Sequence, residues 1–164
     1  MLSGIILASG FSRRMQQNKL LLPLEGKPLV ERVISAAAKS RLDESILVYR
    51  DEAILQIGIN YGAQAIHNKH AAQGQSAAVR AGVTQASPAT NGYLFLVGDQ
   101  PYITAAIIDK IIEFNKIQPD MIIVSVYDER RGNPVLFPKS MRSDLLALTG
   151  DSGGRQIMAH MPER

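Results

Sequence analysis

The chain has 164 residues, 18 Lys and Arg against 15 Asp and Glu for a net charge of +3, 46% hydrophobic residues and no cysteine. That length fits one domain with its own core, and the lack of cysteine excludes a disulfide framework and a thiolate metal site and suits a reducing cytoplasm. No stretch approaches the ~20 apolar residues of a membrane helix and no basic region precedes the first apolar run as in a signal peptide; a low aromatic content of 5% and scattered basic residues argue against a nucleic-acid surface.

Ile5-Ile6-Leu7-Ala8 is a short, β-branched run that reads as a buried strand of a parallel sheet, broken at Gly10. The following loop carries Arg13, Arg14 and Lys19, and no Asp or Glu occurs before Glu25. A cationic loop at the carboxyl end of such a strand is suited to phosphate, because ligands of open α/β sheets sit at that edge and its backbone N–H groups favour anions. The glycine spacing fits neither a P-loop nor a dinucleotide fingerprint, since Gly10 stands alone until Gly26.

Pro28 then suits the first turn of a helix over 29–39, with Leu29, Val30, Val33, Ile34 and Ala37 on one face. Residues 46–49 read as a second strand, Glu52–Asn60 as a short helix closed by Gly62, and 63–67 as a third strand. Gly74-Gln75-Ser76 opens a helix to about 85, and the apolar strand 93–97 ends at Gly98-Asp99-Gln100-Pro101. Thr104 caps a helix running to about 117, and Pro119 ends it. Strand 121–126, a turn over 128–132 and strand 134–137 suggest a hairpin, followed by a helix over 138–148. Strands alternating with helices predict a three-layer, doubly wound and mostly parallel α/β sheet.

Asp99 places a carboxylate at the end of a buried strand, on the same sheet edge as the cationic loop. Magnesium commonly takes one or two protein carboxylates plus substrate phosphates, so Asp99 suits a metal ligand, although GDQP also reads as a plain turn. Ser76 equally fits helix capping. Gly150-Asp151-Ser152-Gly153-Gly154 contains the nucleophile string of chymotrypsin-like proteases, and His70, Asp99 and Ser152 follow the protease chain order. Against a protease stand the absent companion His motif, the short length and the βα alternation. His67, His70 and His160 have no metal-ligand spacing beyond the three-residue gap of the first pair, which suggests structural or surface roles.

Leu7-Ala8-Ser9-Gly10, Ser12, Arg14-Met15, Lys19 and Leu24-Glu25-Gly26-Lys27-Pro28-Leu29 together resemble the signature of nucleotidyltransferases that attach a nucleotide to molybdopterin, the MobA-like family. Ser9 departs from its Ala or Gly, and Gln16 from its Gly. Gly98-Asp99-Gln100-Pro101, the segment from Gly74 to Gly82, Gly132-Asn133-Pro134 and Gly150 to Arg155 match its later motifs. The resemblance implies a Rossmann-like nucleotidyltransferase fold with an antiparallel element late in the chain, and Mg²⁺-dependent transfer of CMP from CTP to molybdopterin in the cytoplasm, with a molybdoenzyme or its chaperone as a further partner. It assigns nucleotide binding to Leu7, Ala8, Ser9, Gly10, Ser12, Arg14, Lys19 and Ser76. Arg14, Lys19 and Asp99 become catalytic, Asp99 with Asp151 metal-binding, and Gly132, Asn133 and Arg155 acceptor-side, while Asn133 competes with Asp151 as second metal contact. A single domain over 1–164, short at its C-terminus relative to the family, is expected. A sugar- or polyol-phosphate transferase and a non-catalytic nucleotide-binding module are the alternatives.

Overall fold

The computed structural model describes residues 1–11, 18–151 and 153–159, without the side chain of residue 155. Strand β1 (Ser3–Ala8) is followed by a 3₁₀ turn at Lys19–Leu21 and a small hairpin of β2 (Pro23–Leu24) and β3 (Lys27–Pro28). Then come α1 (Leu29–Lys39), β4 (Glu44–Tyr49), α2 (Glu52–Asn60), β5 (Gln64–His67), α3 (Gln75–Gln85), β6 (Gly92–Val97) and α4 (Ala105–Ile117). The chain continues through β7 (Ile123–Tyr127), β8 (Arg130–Pro138), α5 (Arg142–Ala147) and α6 (Gly154–Ala159).

Six strands form one sheet in the order β5-β4-β1-β6-β8-β7. The four on the β5 side run parallel, and β8 is antiparallel to both of its neighbours. The periodicity of β1 explains the layers, because successive strand residues face opposite sides. Ile6 and Ala8 pack with Val33, Ile34, Ile54 and Ile108 of α1, α2 and α4, whereas Ile5 packs with Val79, Val83, Leu145 and Ile157 of α3, α5 and α6. Both faces are covered, so the strand can be apolar throughout. Tyr93 belongs to the second layer; burial pushes its phenol above the ordinary value of 10.0, against the opposing pull of the Arg142 guanidinium.

The late hairpin forms, with a shorter turn than the sequence suggests. Asp128 and Glu129 have φ of 45° and 62°, and two consecutive left-handed residues give a tight turn whose twist matches paired strands. Arg130, Arg131 and Gly132 therefore join the ladder opposite Tyr127, Val126 and Ser125. The helix expected over 138–148 is also shorter. Pro138 still pairs with Gly92, and the Lys139 N–H donates to the Asn91 carbonyl at 2.9 Å, so strand pairing persists and α5 begins only at Arg142. Neither the β2–β3 hairpin, turning at Glu25 and Gly26, nor α6 is apparent in the sequence pattern.

Candidate active site

The four parallel strands end on one edge, at Ala8, Tyr49, His67 and Val97, and the loops beyond them build the site. After β1 comes Ser9, almost fully buried, whose hydroxyl accepts from Asn68 Nδ2 at 2.8 Å. The Asn68 amide has only one workable orientation, since its Oδ1 accepts the His70 N–H at 3.2 Å. Ser9 Oγ therefore acts as acceptor toward Asn68 and keeps its own proton for another partner. Farther along the loop, the Arg50 guanidinium lies over the Phe11 ring, 4.3 Å from its centroid, a cation–π contact.

Lys19 is positioned from two directions. Asn18 Oδ1 accepts from the Leu20 N–H at 3.1 Å and caps the 3₁₀ turn, while Asn18 Nδ2 donates to Asp51 Oδ2 at 3.2 Å. Asp51 in turn caps α2 by accepting the Ala53 N–H at 3.0 Å. The turn so held delivers Lys19 Nζ to Asp99 Oδ2, 3.2 Å away. Their side chains are 49% and 39% exposed, and ion pairs so open to solvent contribute only ~0–1 kcal/mol. Stability does not account for the pair; it leaves a cation and a carboxylate accessible at the strand-end edge.

Helix α3 begins without a side-chain cap of its own. Its Ser76 N–H donates to the Gly150 carbonyl at 3.1 Å, and Ser76 Oγ accepts from Arg80 Nη1 at 3.1 Å. Ser76 is fully buried at this junction. Gly74, with φ of 93°, faces the same segment: a Cβ there would lie 2.5 Å from both Asp151 Oδ1 and the Gly150 carbonyl oxygen. Only glycine suits both the backbone and the contact.

Two adjoining cavities open here. A smaller one of about 370 Å³ is lined by Ser9, Gly10, Phe11 and Gly74, and a larger one of about 770 Å³ by Phe95, Arg131, Gly132, Asn133, Phe137 and Gln156. Leu7, Gln75, Val97 and Asp151 line both. The expected residues thus gather in three places: Leu7, Ser9 and Gly10 at the smaller cavity, Gly132 and Asn133 at the larger, and Lys19 with Asp99 as a pair. Ala8 is buried in the α1 layer, Arg155 is carried on α6, and Ser12 and Arg14 lie outside the described residues. Asn68, Asp51, Gln75 and Arg131 were not foreseen. Asn68 and Asp51 stand just past strand ends, the same signal that marks Asp99.

Among the described residues no cluster of three or more His, Cys, Asp or Glu could hold a metal by itself. The acidic donors available, Asp99 beside Lys19 and Asp151 on the cavity wall, fit an ion that takes one or two carboxylates and completes its shell with phosphate and water oxygens. A divalent metal would be held with its substrate. Among the described residues no helix is long and apolar enough to cross a membrane.

A mostly parallel sheet with these strand-end loops is an α/β nucleotidyltransferase fold, shared with Rv0371c of Mycobacterium tuberculosis H37Rv (TM-score 0.84, 24% identity, 96% of this chain and 82% of that one). A CTP complex of CMP:2-keto-3-deoxy-manno-octonic acid synthetase has the same fold (TM-score 0.71, 16% identity, 97% and 82%). The match to the MobA-like NTP transferase domain extends over residues 4–164, and the chain belongs to that nucleotidyltransferase family. It is 32% identical to the purine catabolism protein PucB of Bacillus subtilis (strain 168) over 96% of this chain and 80% of that protein. It is also 32% identical to a probable molybdenum cofactor guanylyltransferase of Natranaerobius thermophilus, over 74% of this chain and 58% of the relative. A 3-deoxy-manno-octulosonate cytidylyltransferase of Fusobacterium nucleatum is 34% identical over 72% and 47%. The chain therefore spans about half the length of these last two relatives. A manganese complex of Rv0371C (TM-score 0.80, 23% identity, 98% of this chain and 82% of that one) is a further structure of this fold. A mostly parallel sheet is also incompatible with the paired β-barrels of a chymotrypsin-like protease.

Proposed function

We propose that the chain transfers CMP from CTP to the terminal phosphate of molybdopterin and releases pyrophosphate. The observation that carries this reading is the accessible Lys19–Asp99 pair on the sheet edge that also bears two adjoining cavities, one for each substrate. An acceptor phosphate oxygen attacks the α-phosphorus in line, the bond to the β-phosphate oxygen breaks, and no covalent enzyme intermediate is needed. The protein's contribution is placement and charge stabilisation.

In this reading the smaller cavity takes the nucleotide, with Ser9 donating its free hydroxyl proton toward the base. Gly10 and the loop that carries Ser12 and Arg14 follow the triphosphate; Arg14 holds the leaving pyrophosphate. Lys19 binds α- and acceptor-phosphate oxygens. Asp99, with Asp151 second, would hold Mg²⁺, which when bound neutralises phosphate charge. The larger cavity, lined by apolar Phe95, Val135 and Phe137 and by polar Arg131, Asn133 and Gln156, suits a flat heterocycle with hydrogen-bonding edges. Arg155, a residue of α6, is assigned to the acceptor in this reading.

A sugar-acid or polyol-phosphate acceptor is the second reading, favoured by the likeness to the cytidylyltransferase of Fusobacterium nucleatum. Pyrophosphate release from CTP and Mg²⁺ with molybdopterin, 3-deoxy-manno-octulosonate or an erythritol phosphate separates the acceptors. Release with molybdopterin alone is expected. Nucleotide binding without release from any acceptor would instead support a non-catalytic binding module.

A further inference from the structure

We infer that Arg80 is a positioning residue that pins the Leu148–Asp151 segment against the start of α3, and through it sets the wall shared by the two cavities. This rests on the proposed role of Asp151 as a metal contact. Arg80 lies one helical turn past Ser76, and its guanidinium joins its own helix, Gln73 just ahead of it and the distant Leu148 carbonyl. Nη1 donates to Ser76 Oγ at 3.1 Å and to the Leu148 carbonyl at 2.5 Å, and Nη2 donates to Gln73 Oε1 at 3.0 Å. A rigid fork of donors can hold three such acceptors at once, whereas an ammonium on a flexible stem is a single point.

What is pinned matters for the chemistry. Immediately after Leu148, the Gly150 carbonyl takes the Ser76 N–H, the bond that stands in for the missing cap of α3. Asp151 then packs against Gly74, which has no Cβ to displace it, and with Gln75 it borders both cavities. Releasing the Leu148 carbonyl removes one of the hydrogen bonds that tie this segment to α3; among the described residues the Ser76–Gly150 bond and the buried Leu148 side chain remain, and they hold the segment with less precision. Asp151 would lose its fixed position, while Ser9, which also lines the smaller cavity, keeps its bond to Asn68.

The test compares Arg80→Met, the milder Arg80→Lys, Asp151→Asn and the double variant. It reads pyrophosphate release against Mg²⁺ and CTP, together with NMR exchange of the Ser76 amide. Loss of a group that orients a metal ligand typically costs 10- to 100-fold in metal affinity, so Arg80→Met should raise the half-saturating Mg²⁺ about tenfold or more and lower kcat, with KM for CTP within about threefold of wild type. Arg80→Lys should fall between. Residues acting through one another are non-additive, so the double variant should need no more Mg²⁺ than Asp151→Asn. The Ser76 amide should exchange faster in Arg80→Met by more than any fall in global stability accounts for, with core amides of β1 as the reference. Additive Mg²⁺ shifts, or a wild-type curve for Arg80→Met where Asp151→Asn shifts it, would overturn the inference. If Asp151→Asn keeps the wild-type curve, Asp151 is no metal contact and the amide decides: unchanged Ser76 protection in Arg80→Met and Arg80→Lys refutes the pinning, and faster exchange upholds it.

Discussion

Asn18 links the turn carrying Lys19 to the cap of α2, through a 3.2 Å hydrogen bond from its Nδ2 to Asp51 Oδ2. The backbone that carries Lys19 is thereby held by its neighbour, and the Lys19 side chain is itself half exposed. Lys19→Ala should lose at least ~3 kcal/mol of transition-state stabilisation, as removal of a preorganised charge does. Unfolding stability should change by less than ~1 kcal/mol, because the Asp99 pair is exposed. Paired kcat/KM and denaturant measurements check both halves, and full activity in a normally folded variant would refute the phosphate role.

Asp99→Asn keeps the shape of the side chain and removes its charge. The half-saturating Mg²⁺ for pyrophosphate release should rise by an order of magnitude or more, as ~1.4 kcal/mol corresponds to each tenfold change. A Mg²⁺ titration identical to wild type would place the metal elsewhere.

Ser9 should favour CTP over GTP, because a side chain at this strand end takes room that a purine needs. Ser9→Gly should narrow the ratio, within the ~1–3 kcal/mol that one small group is worth. The same change orphans the buried Asn68 Nδ2, so it should also cost about 1–3 kcal/mol of stability. Measuring kcat/KM for both nucleotides beside a urea midpoint separates selectivity from damage; a wild type that prefers GTP, or an unaltered ratio in Ser9→Gly, removes Ser9 as selector.

Gly74→Ala should destabilise the fold by about 1–3 kcal/mol, the typical cost of forcing a side chain into a left-handed conformation. The new Cβ would also displace Asp151. A lowered denaturant midpoint is the expected readout, and an unchanged one would contradict the close approach of the two segments.

Tyr93 binds its proton more tightly folded than unfolded, because burial disfavours the phenolate. Its stabilisation is complete below the unfolded value of 10.0 and is lost as pH rises toward the higher folded value. Tyr93→Phe should flatten the alkaline limb of stability above the phenol's ordinary value of 10.0, measured by urea unfolding at each pH. A limb as steep as in wild type would assign the alkaline loss to other groups.

The strands and helices that bury a continuous stripe were legible in the chain. Ile5 and Ile6 announce a strand covered on both faces, and Thr104 caps α4 as its chemistry suggests, accepting from the Ile107 N–H at 3.3 Å. What sequence could not supply was set by distant partners. Strand pairing with Asn91 delays α5, and β8 captures Arg130 to Gly132 from the expected turn. The same limit applied at the site. Asp99 is conspicuous at a strand end, whereas Arg80 reads as one more basic helix residue, because the Leu148 carbonyl it holds lies 68 residues away.

The borrowed cap of α3 bears on how the site comes into being. A chain emerging from the ribosome in order would expose the first turn of α3 long before residue 150 exists, and the Ser76 amide would be left to water. The early strands can pair and bury Ile6 under α1, α2 and α4 by then, but the full cover of Ile5 and the boundary between the two cavities wait for the last segments to dock. A nascent or clipped chain lacking that segment would keep much of its sheet without a finished pocket, so compactness alone is a poor guide to whether a preparation is competent.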